Sequence, residues 1–482
     1  MAKVFVRPLI HRLDSIVFNP HPPDPSPRRI RAVLNITTMS SPHSSTLSLS
    51  NLNPLLRRQV AGSSRPRVGN SISPGDSARP WGSSPSLKGK PVIALCHLSW
   101  DWVWQRPQQF LSRLSKTHPV LFVETYCTDT PTTMVRLRQA DGHPNVTICE
   151  MHLPASRWSD GKYIDRERRR ALRRAMLNEL EGRFDDAVLW FNDPMAVTAF
   201  AGHLDEALIV YDCMDELSQF KDAPAALIER EYELLEAADV VFCGGRKMRD
   251  KRLPYNSNTH FYGTGVDVVH FGQARSATLA TDSEIAALRG PVLGYFGVVD
   301  ERIDYDLLAA LADADSTWHV VMVGPTTKVD PATFPRRRNL HFLGGRPYSQ
   351  LPAITKGFSV CLMPFARNEA TEFINPTKAL EYMAAGRPVV STALDEVKSN
   401  FSSVARIARS HAEFISMCQR EVASPSQARV ERGLKLANEN TWDAILGKME
   451  RHVADALIAK TENIPSEVTN IVPLVGNQTA YV

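Results

Sequence analysis

The stretch Glu372-Phe-Ile-Asn375-Pro-Thr-Lys378-Ala-Leu-Glu381-Tyr-Met-Ala-Ala-Gly386-Arg-Pro388-Val-Val-Ser-Thr392 decides the reading of this 482-residue chain. Asn375 is a favoured N-cap, Pro376 suits a first helical position, and Gly386 followed by Pro388 ends the helix, so a helix is expected over 376–385. Its free N–H groups at Thr377 and Lys378 and the positive end of its dipole form an anion site, to which Lys378 adds a full charge. Glu381 lies three residues beyond Lys378 and four beyond Thr377, so the three share a face. A carboxylate there can accept two hydrogen bonds from a ribose diol. The competing reading is a well-capped core helix carrying an incidental Glu–Lys pair.

The flanks favour the first reading. Apolar, β-rich runs at 358–365 and 388–392 give strand, loop, helix, strand, the order of a doubly wound parallel sheet. Ligands of such sheets bind beyond the carboxyl ends of the strands, where the 365–375 loop and the helix start fall.

The same alternation runs outward in both directions. Strands are expected at 91–98, 120–124, 146–151, 187–191, 208–211, 239–243 and 260–262, with helices at 105–115, 165–180 and 223–238. After a loop-like stretch at 273–282 the pattern restarts at 291–299 and continues through 318–323, 339–343, 358–365 and 388–392. Two Rossmann-like α/β domains follow, at 89–272 and 283–424, then helices at 425–462 headed by Trp442, and an unstructured tail at 463–482.

Residues 1–88 hold twelve Lys or Arg against three Asp, so the net charge of +4 hides an acidic remainder, and nucleic-acid binding by the folded part is not expected. This Ser-, Pro- and Arg-rich segment cannot bury a core and is expected to be disordered. It fits an organelle transit peptide, a plain tail, or a start placed too far upstream, with Met39 as one candidate initiator. No apolar run is long enough to span a bilayer. Seven single Cys without a Cys-x-x-Cys pair suggest buried thiols in a reducing, cytoplasmic setting, with no zinc site or disulfide framework.

These residues resemble the GT-B glycosyltransferases, near the large retaining group called family four, over roughly 91–460. The resemblance rests on Asn375-Pro-Thr-Lys-Ala-Leu-Glu-Tyr-Met-Ala-Ala-Gly-Arg-Pro-Val-Val390, on Gly263-Thr-Gly-Val-Asp267 with Phe271, on Gly294-Tyr-Phe-Gly297, and on Trp442. It implies two facing Rossmann-like domains, a last helix crossing back to the first, and a nucleotide-sugar donor on the second. Glu381 takes the place of the family's ribose-binding Glu. Glu372 precedes it with eight residues between where the family has seven, and Thr264 stands where Asn is usual.

Donor-binding candidates are Gly294, Gly297, Arg302, Gly345, Arg346, Asn375, Pro376, Thr377, Lys378 and Glu381. Arg302 is the second phosphate contact that the resemblance implies, against a surface pairing with Asp304 or Asp306. Gly345 and Arg346 could let the base lie on backbone, or form a plain turn. In the first domain, Trp100, Trp102, Gln105, Arg106 and Asp215 are candidates for the acceptor side of the cleft, the tryptophans as sugar-stacking faces or else as core. Asp212 and His97 join Arg302 and Lys378 as catalytic candidates, against capping roles at strand ends. Asp313-Ala-Asp315 reads as a solvated helix terminus, and neither a catalytic metal nor an organic cofactor is expected. An Arg-rich helix from Asp165 to Arg174 could face an anionic membrane carrying a lipid-linked acceptor, or be a solvated face laced with Glu167 and Glu179.

The function expected is transfer of a sugar from a nucleoside-diphosphate sugar to a carbohydrate or lipid-linked hydroxyl. The alternatives are a sugar-nucleotide epimerase of the same fold and a non-catalytic nucleotide or carbohydrate binder.

Overall fold

The computed structural model describes residues 89–101, 104–220, 223–368, 371 and 377–462. The terminal segments 1–88 and 463–482, with Glu372, Asn375, Pro376 and Trp102, lie outside the described residues.

The apolar runs form two parallel sheets. The first contains β1 (Val92–Leu95), β2 (Val120–Thr128), β3 (Met134–Ala140), β4 (His143–Pro154), β5 (Val188–Phe191), β6 (Leu208–Cys213), β7 (Val240–Cys243) and β8 (Thr259–Phe261). Their order is β3-β4-β2-β1-β5-β6-β7-β8, with only β3 antiparallel, against β4. The second contains β9 (Val292–Phe296), β10 (His319–Val323), β11 (Leu340–Phe342), β12 (Val360–Met363), β13 (Val389–Thr392) and β14 (Arg406–Ala408), ordered β11-β10-β9-β12-β13-β14 and parallel throughout. This is the doubly wound order, in which direction reverses beside the first strand. The switch points are therefore β1/β5 and β9/β12.

Strands buried on both faces explain the continuous Val, Ile and Leu runs. In the first domain, Ile93, Leu121, Leu189 and Val241 pack one face and Val92, Val120, Val188 and Val240 the other. The second has one continuous core that includes Leu293, Val321, Leu362 and Val390. Val266 and Phe271 belong to this second core, with Phe271 stacked on Phe296 at 5.7 Å, so the change of domain falls before residue 266.

Helices that position the site are α1 (Arg106–Leu114), α2 (Gly161–Asn178), α3 (Arg246–Arg252), α4 (Lys378–Ala384), α5 (Asp395–Phe401) and α6 (Trp442–Glu462). Helix α6 returns to the first domain, where Trp442, Ile445, Leu446, Met449 and Val453 join its core and Trp442 meets Phe110 edge to face at 5.3 Å. The two chain crossings between domains lie side by side, bridged at Val266 and Thr441. A further contact joins the domains elsewhere: Lys247 Nζ pairs with Asp395 at 2.8 Å, and buried Glu396 accepts the Lys247 N–H at 3.1 Å.

The basic helix α2 turns much of its charge inward. Arg168 is buried against Asp193 and the Met195 carbonyl, Arg169 donates to the Thr198 and Ala199 carbonyls, and Arg170 pairs with Glu167. Arg166, Arg173 and Arg174 remain on the outer face. No helix among the described residues is long and apolar enough to cross a membrane.

Candidate functional site

The second domain gathers its candidate groups at the carboxyl end of β9. Helix α4 starts at Lys378, two residues later than expected, with Thr377 as its flank. Lys378 Nζ lies 3.2 Å from Thr377 Oγ1, 3.7 Å from Glu381 Oε2 and 5.8 Å from the centre of the Phe296 ring. Glu381 Oε2 is buried without a hydrogen-bond partner among the described residues. An acceptor kept dry and unsatisfied costs free energy, which a ligand hydroxyl would relieve.

Gly297 closes β9 beside this pair with a φ of +147°, and a Cβ there would stand 2.8 Å from Lys378 Cε. Gly324, at the end of β10, has a φ of +154°, and a Cβ there would stand 1.7 Å from the Gly297 carbonyl oxygen. Only glycine fits either position. Gly324→Ala should therefore cost at least about 2 kcal/mol of stability and displace the β9 turn, read as a lower urea midpoint together with weaker nucleotide binding.

Arg302 follows that turn. Asp300, not Asp304 or Asp306, holds it: Nε donates to Oδ1 at 2.9 Å and Nη2 to Oδ2 at 2.6 Å. The guanidinium is clamped along one edge while the side chain keeps 37% of its surface exposed, leaving its Nη1 edge for a ligand. Asp300 is the positioning residue that the sequence reading passed over.

Two donor candidates take other roles. Gly294 lies within β9, paired to Val321 and Cys361, and a Cβ on it would strike the Phe358 ring at 2.3 Å; it is a packing glycine, not a phosphate turn. Arg346 gives its donors to the Leu343 and Gly345 carbonyls and to Glu284, which ties the loop after β11 down rather than leaving the charge for a base or phosphate. A Cβ on Gly345 would meet nothing nearer than Pro325, at 3.8 Å, so no close packing requires glycine there.

The first domain answers with groups at the carboxyl ends of β1, β5 and β6. His97 follows β1, its Nδ1 3.2 Å from the Asn192 carbonyl. A carbonyl can only accept, so Nδ1 carries the proton and Nε2 keeps its lone pair. Burial lowers the His97 pKa against the opposing charge of Asp193, which favours this neutral form. Asp215, after β6, has its carboxyl pushed up to about 6 by burial, against the opposing charges of Arg302 and Arg106. The charge of Arg302 thus reaches Asp215 across the two domains.

Asp212 does not take part in chemistry at the cleft. It is fully buried in β6, its Oδ1 accepting Arg106 Nε at 2.8 Å and its Oδ2 facing Asn192 Nδ2 at 3.4 Å. Arg106 is buried with it and spends Nη1 on the Tyr262 and Gly263 carbonyls, so the acceptor-side assignment of Arg106 gives way to a structural one. Trp100 is likewise core, 2% exposed and edge-to-face with Phe122 at 5.2 Å. Trp104, 43% exposed, faces outward. Gln105 caps α1, its N–H accepted by Gln108 Oε1 at 3.1 Å.

Asp313 pairs with Arg337 and Asp315 accepts from Thr317. No group of three or more His, Cys, Asp or Glu suited to a metal ion occurs among the described residues. None of the seven cysteines is joined in a disulfide.

Residues 290–411, which carry the Lys378–Glu381 pair, Gly297 and Arg302, match the family of group 1 glycosyl transferases. The chain is 24% identical over 204 residues to a protein assigned to teichuronic acid biosynthesis, the glycosyltransferase TuaH of Bacillus subtilis strain 168. That match takes in 39% of this chain and 50% of TuaH, so the chain spans about half the length of this curated relative.

Among solved structures, the chain is similar to sucrose-phosphate synthase from Thermosynechococcus elongatus, with 13% identity, a TM-score of 0.56, and 77% of this chain and 100% of that one covered. It is similar to the UDP-forming α,α-trehalose-phosphate synthase of Burkholderia xenovorans in complex with glucose-6-phosphate, with 13% identity, a TM-score of 0.57, and 75% and 99% covered. An E. coli trehalose-6-phosphate structure bound with UDP-2-fluoro glucose matches with 13% identity, a TM-score of 0.56, and 76% and 99% covered. These likenesses establish the GT-B fold.

Proposed function

We propose that this protein transfers a sugar from a nucleoside-diphosphate sugar to an acceptor hydroxyl. The observation that carries the reading is the convergence, at the carboxyl end of β9, of Lys378, the half-free Arg302 guanidinium and the unsatisfied Glu381 carboxylate. One such group is ordinary; three at a doubly wound switch point match a nucleoside diphosphate, with two cations for the phosphates and a carboxylate for the ribose.

Lys378 and Arg302 stabilise the charge that grows on the departing diphosphate, which makes catalysis electrostatic and independent of a metal or organic cofactor. Thr377 and Gly297 line the same turn. In the first domain, Asp215 and the Nε2 lone pair of His97 accept the hydrogen bond of the attacking hydroxyl. Closure about the paired crossings at Val266 and Thr441 excludes water and favours transfer over hydrolysis. Family resemblance favours retention at the anomeric carbon.

The TuaH likeness supports a polysaccharide or glycolipid acceptor, and cysteines not joined in disulfides suit the cytoplasm. A lipid-linked acceptor would place Arg166, Arg173 and Arg174 toward the membrane surface.

Nucleotide sugars tested one by one by thermal shift should reveal a donor that raises the unfolding midpoint. Release of diphosphate only when acceptor is added separates a transferase from an epimerase, which would convert donor alone, and from a binder, which would release none.

The raised pKa of Asp215 adds a pH test. The carboxylate is present above about pH 6, so activity should rise through that pH, and Asp215→Asn should flatten the acid limb and lower the plateau. Stability carries the opposite sign. The folded form holds the proton more tightly, so the cost of ionising Asp215 grows as pH rises from the ordinary carboxylate range to about 6, and the Asn variant escapes it.

A further inference from the structure

Strand β2 outruns its neighbour. β1 pairs with it only from Val120 to Val123, whereas β4 follows it from Val120 to Thr128, and β3 extends the ladder on the far side of β4. Residues 124–128 therefore project past the carboxyl edge of the sheet as part of a three-stranded flap. Register places Glu124, Glu150 and Arg136 in one cross-strand row, and Tyr126, His152 and Met134 in the next, all on one face. The loop after β1 lies on that face: Trp100 N–H donates to Glu124 Oε1 at 2.6 Å, and Ser99 Oγ is 2.9 Å from the Tyr126 hydroxyl, two residues from His97. Tyr126 and His152 stack with centroids 5.3 Å apart and planes 18° apart, both half-buried.

The hydrogen bonds there have a direction. Glu124 is 2% exposed, and its second oxygen accepts the Tyr126 hydroxyl. Tyr126 has then given its proton to Glu124, so its oxygen accepts from Ser99. Ser99 in turn has given its proton inward and presents lone pairs outward. Burial holds the Glu124 pKa above its ordinary value, although the Trp100 N–H, the Tyr126 hydroxyl and Arg138 oppose it, and the hydrogen-bond direction is that of the ionised carboxylate. Arg138 is itself held by Glu150 at 2.6 Å and paired with Asp101.

We propose that this face is a sugar-acceptor site in which the Tyr126–His152 pair supplies the stacking surface. Ser99 accepts a hydrogen bond from one sugar hydroxyl, and Glu124 is a positioning residue that sets the direction of that bond through Tyr126. The inference rests on the acceptor side of the function proposed above and assigns it residues that no sequence motif marks. The ligand class is a neutral pyranose with a free hydroxyl. A ring stacks on the aromatic pair, and its hydroxyl must act as donor, because Ser99 has no proton left to give.

The test measures sugar binding to the full chain by saturation-transfer NMR, with and without nucleoside diphosphates, UDP included. The probes are methyl glucopyranoside, methyl galactopyranoside and their monodeoxyfluoro derivatives, in which fluorine can accept but not donate. The wild type should bind at least one methyl glycoside and reject its fluoro derivative at one position by about fivefold. Ser99→Ala should lose that discrimination.

Glu124→Gln should reverse or abolish the discrimination without abolishing binding. The Trp100 N–H keeps the Gln carbonyl oxygen facing it, so the amide donates to Tyr126, Tyr126 donates to Ser99, and the Ser99 proton turns outward. Tyr126→Phe frees the Ser99 rotor, and discrimination should fall toward none even if the Gln variant folds poorly. Absence of methyl glycoside binding by the wild type, or equal discrimination in all four proteins, overturns the assignment. Failure of every nucleoside diphosphate tested, UDP included, to bind counts against the donor reading and leaves this readout intact.

Discussion

Lys378→Ala should reduce turnover of the accepted nucleotide sugar by about 10²–10³-fold, the usual cost of removing one preorganised group that faces developing negative charge. Lys378 sits where the β9 turn and helix α4 meet, its Cε 2.8 Å from where a Cβ on Gly297 would stand. That packing fixes the stem, and the Glu381 carboxylate at 3.7 Å holds the ammonium end. The group is thus in place before the ligand arrives and costs little reorganisation. Its removal should weaken binding of the donor's nucleoside diphosphate as well, since the diphosphate carries charge in the ground state. Stability should fall by about 1–2 kcal/mol, because the side chain keeps only a quarter of its surface in water and its loss leaves the largely buried Glu381 carboxylate without the ammonium. Kinetics and the thermal shift induced by that nucleoside diphosphate, on the same preparation, check both. Unchanged turnover would remove Lys378 from the chemistry and with it the donor assignment.

How much of this could be read from the residues depends on the range over which each feature is encoded. The parallel strands were legible because a strand buried on both faces is a continuous apolar run, and the Lys378–Glu381 pair was legible because helical spacing is local. No element is expected over Met134–Ala140 although Met134-Val-Arg-Leu-Arg138 alternates: β3 is a half-exposed edge strand whose outward Arg residues dilute the apolar signal. β14, three residues long, leaves almost no pattern.

Site residues failed where partners were distant. Asp212 resembled a loop acid because the strand was taken to end at Tyr211, whereas β6 continues to Cys213 and carries it into the core beside Arg106. Trp100 and Trp104 share a segment yet one is buried and the other exposed, since the turn between strand and helix sends them to opposite environments. Gly294 lies three residues before Gly297, yet only Phe358, in the connection that leads into β12, reveals that the two have different jobs. The Glu124–Tyr126–Ser99 chain has no sequence signal, because it depends on how far β2 outruns β1.

The buried pair that displaced a catalytic assignment yields the largest expected effect on stability. Asp212→Ala should cost about 3–5 kcal/mol, because Arg106 would be left charged, 7% exposed, and satisfied only by the Tyr262 and Gly263 carbonyls. The double variant Arg106→Met/Asp212→Leu should recover most of that loss, since two apolar groups of similar volume bury without an unpaired charge. Urea denaturation of the single and double variants measures both, and a single-variant loss below about 1 kcal/mol would mean that water reaches the pair. The consequence extends to function. Arg106 anchors the chain at Tyr262–Gly263, immediately before the crossing at Val266, and its charge also lowers the Asp215 pKa. In the double variant the fold should therefore stand while the acid limb of activity moves above pH 6, because Asp215 keeps its desolvation and loses one of the two cations that oppose it.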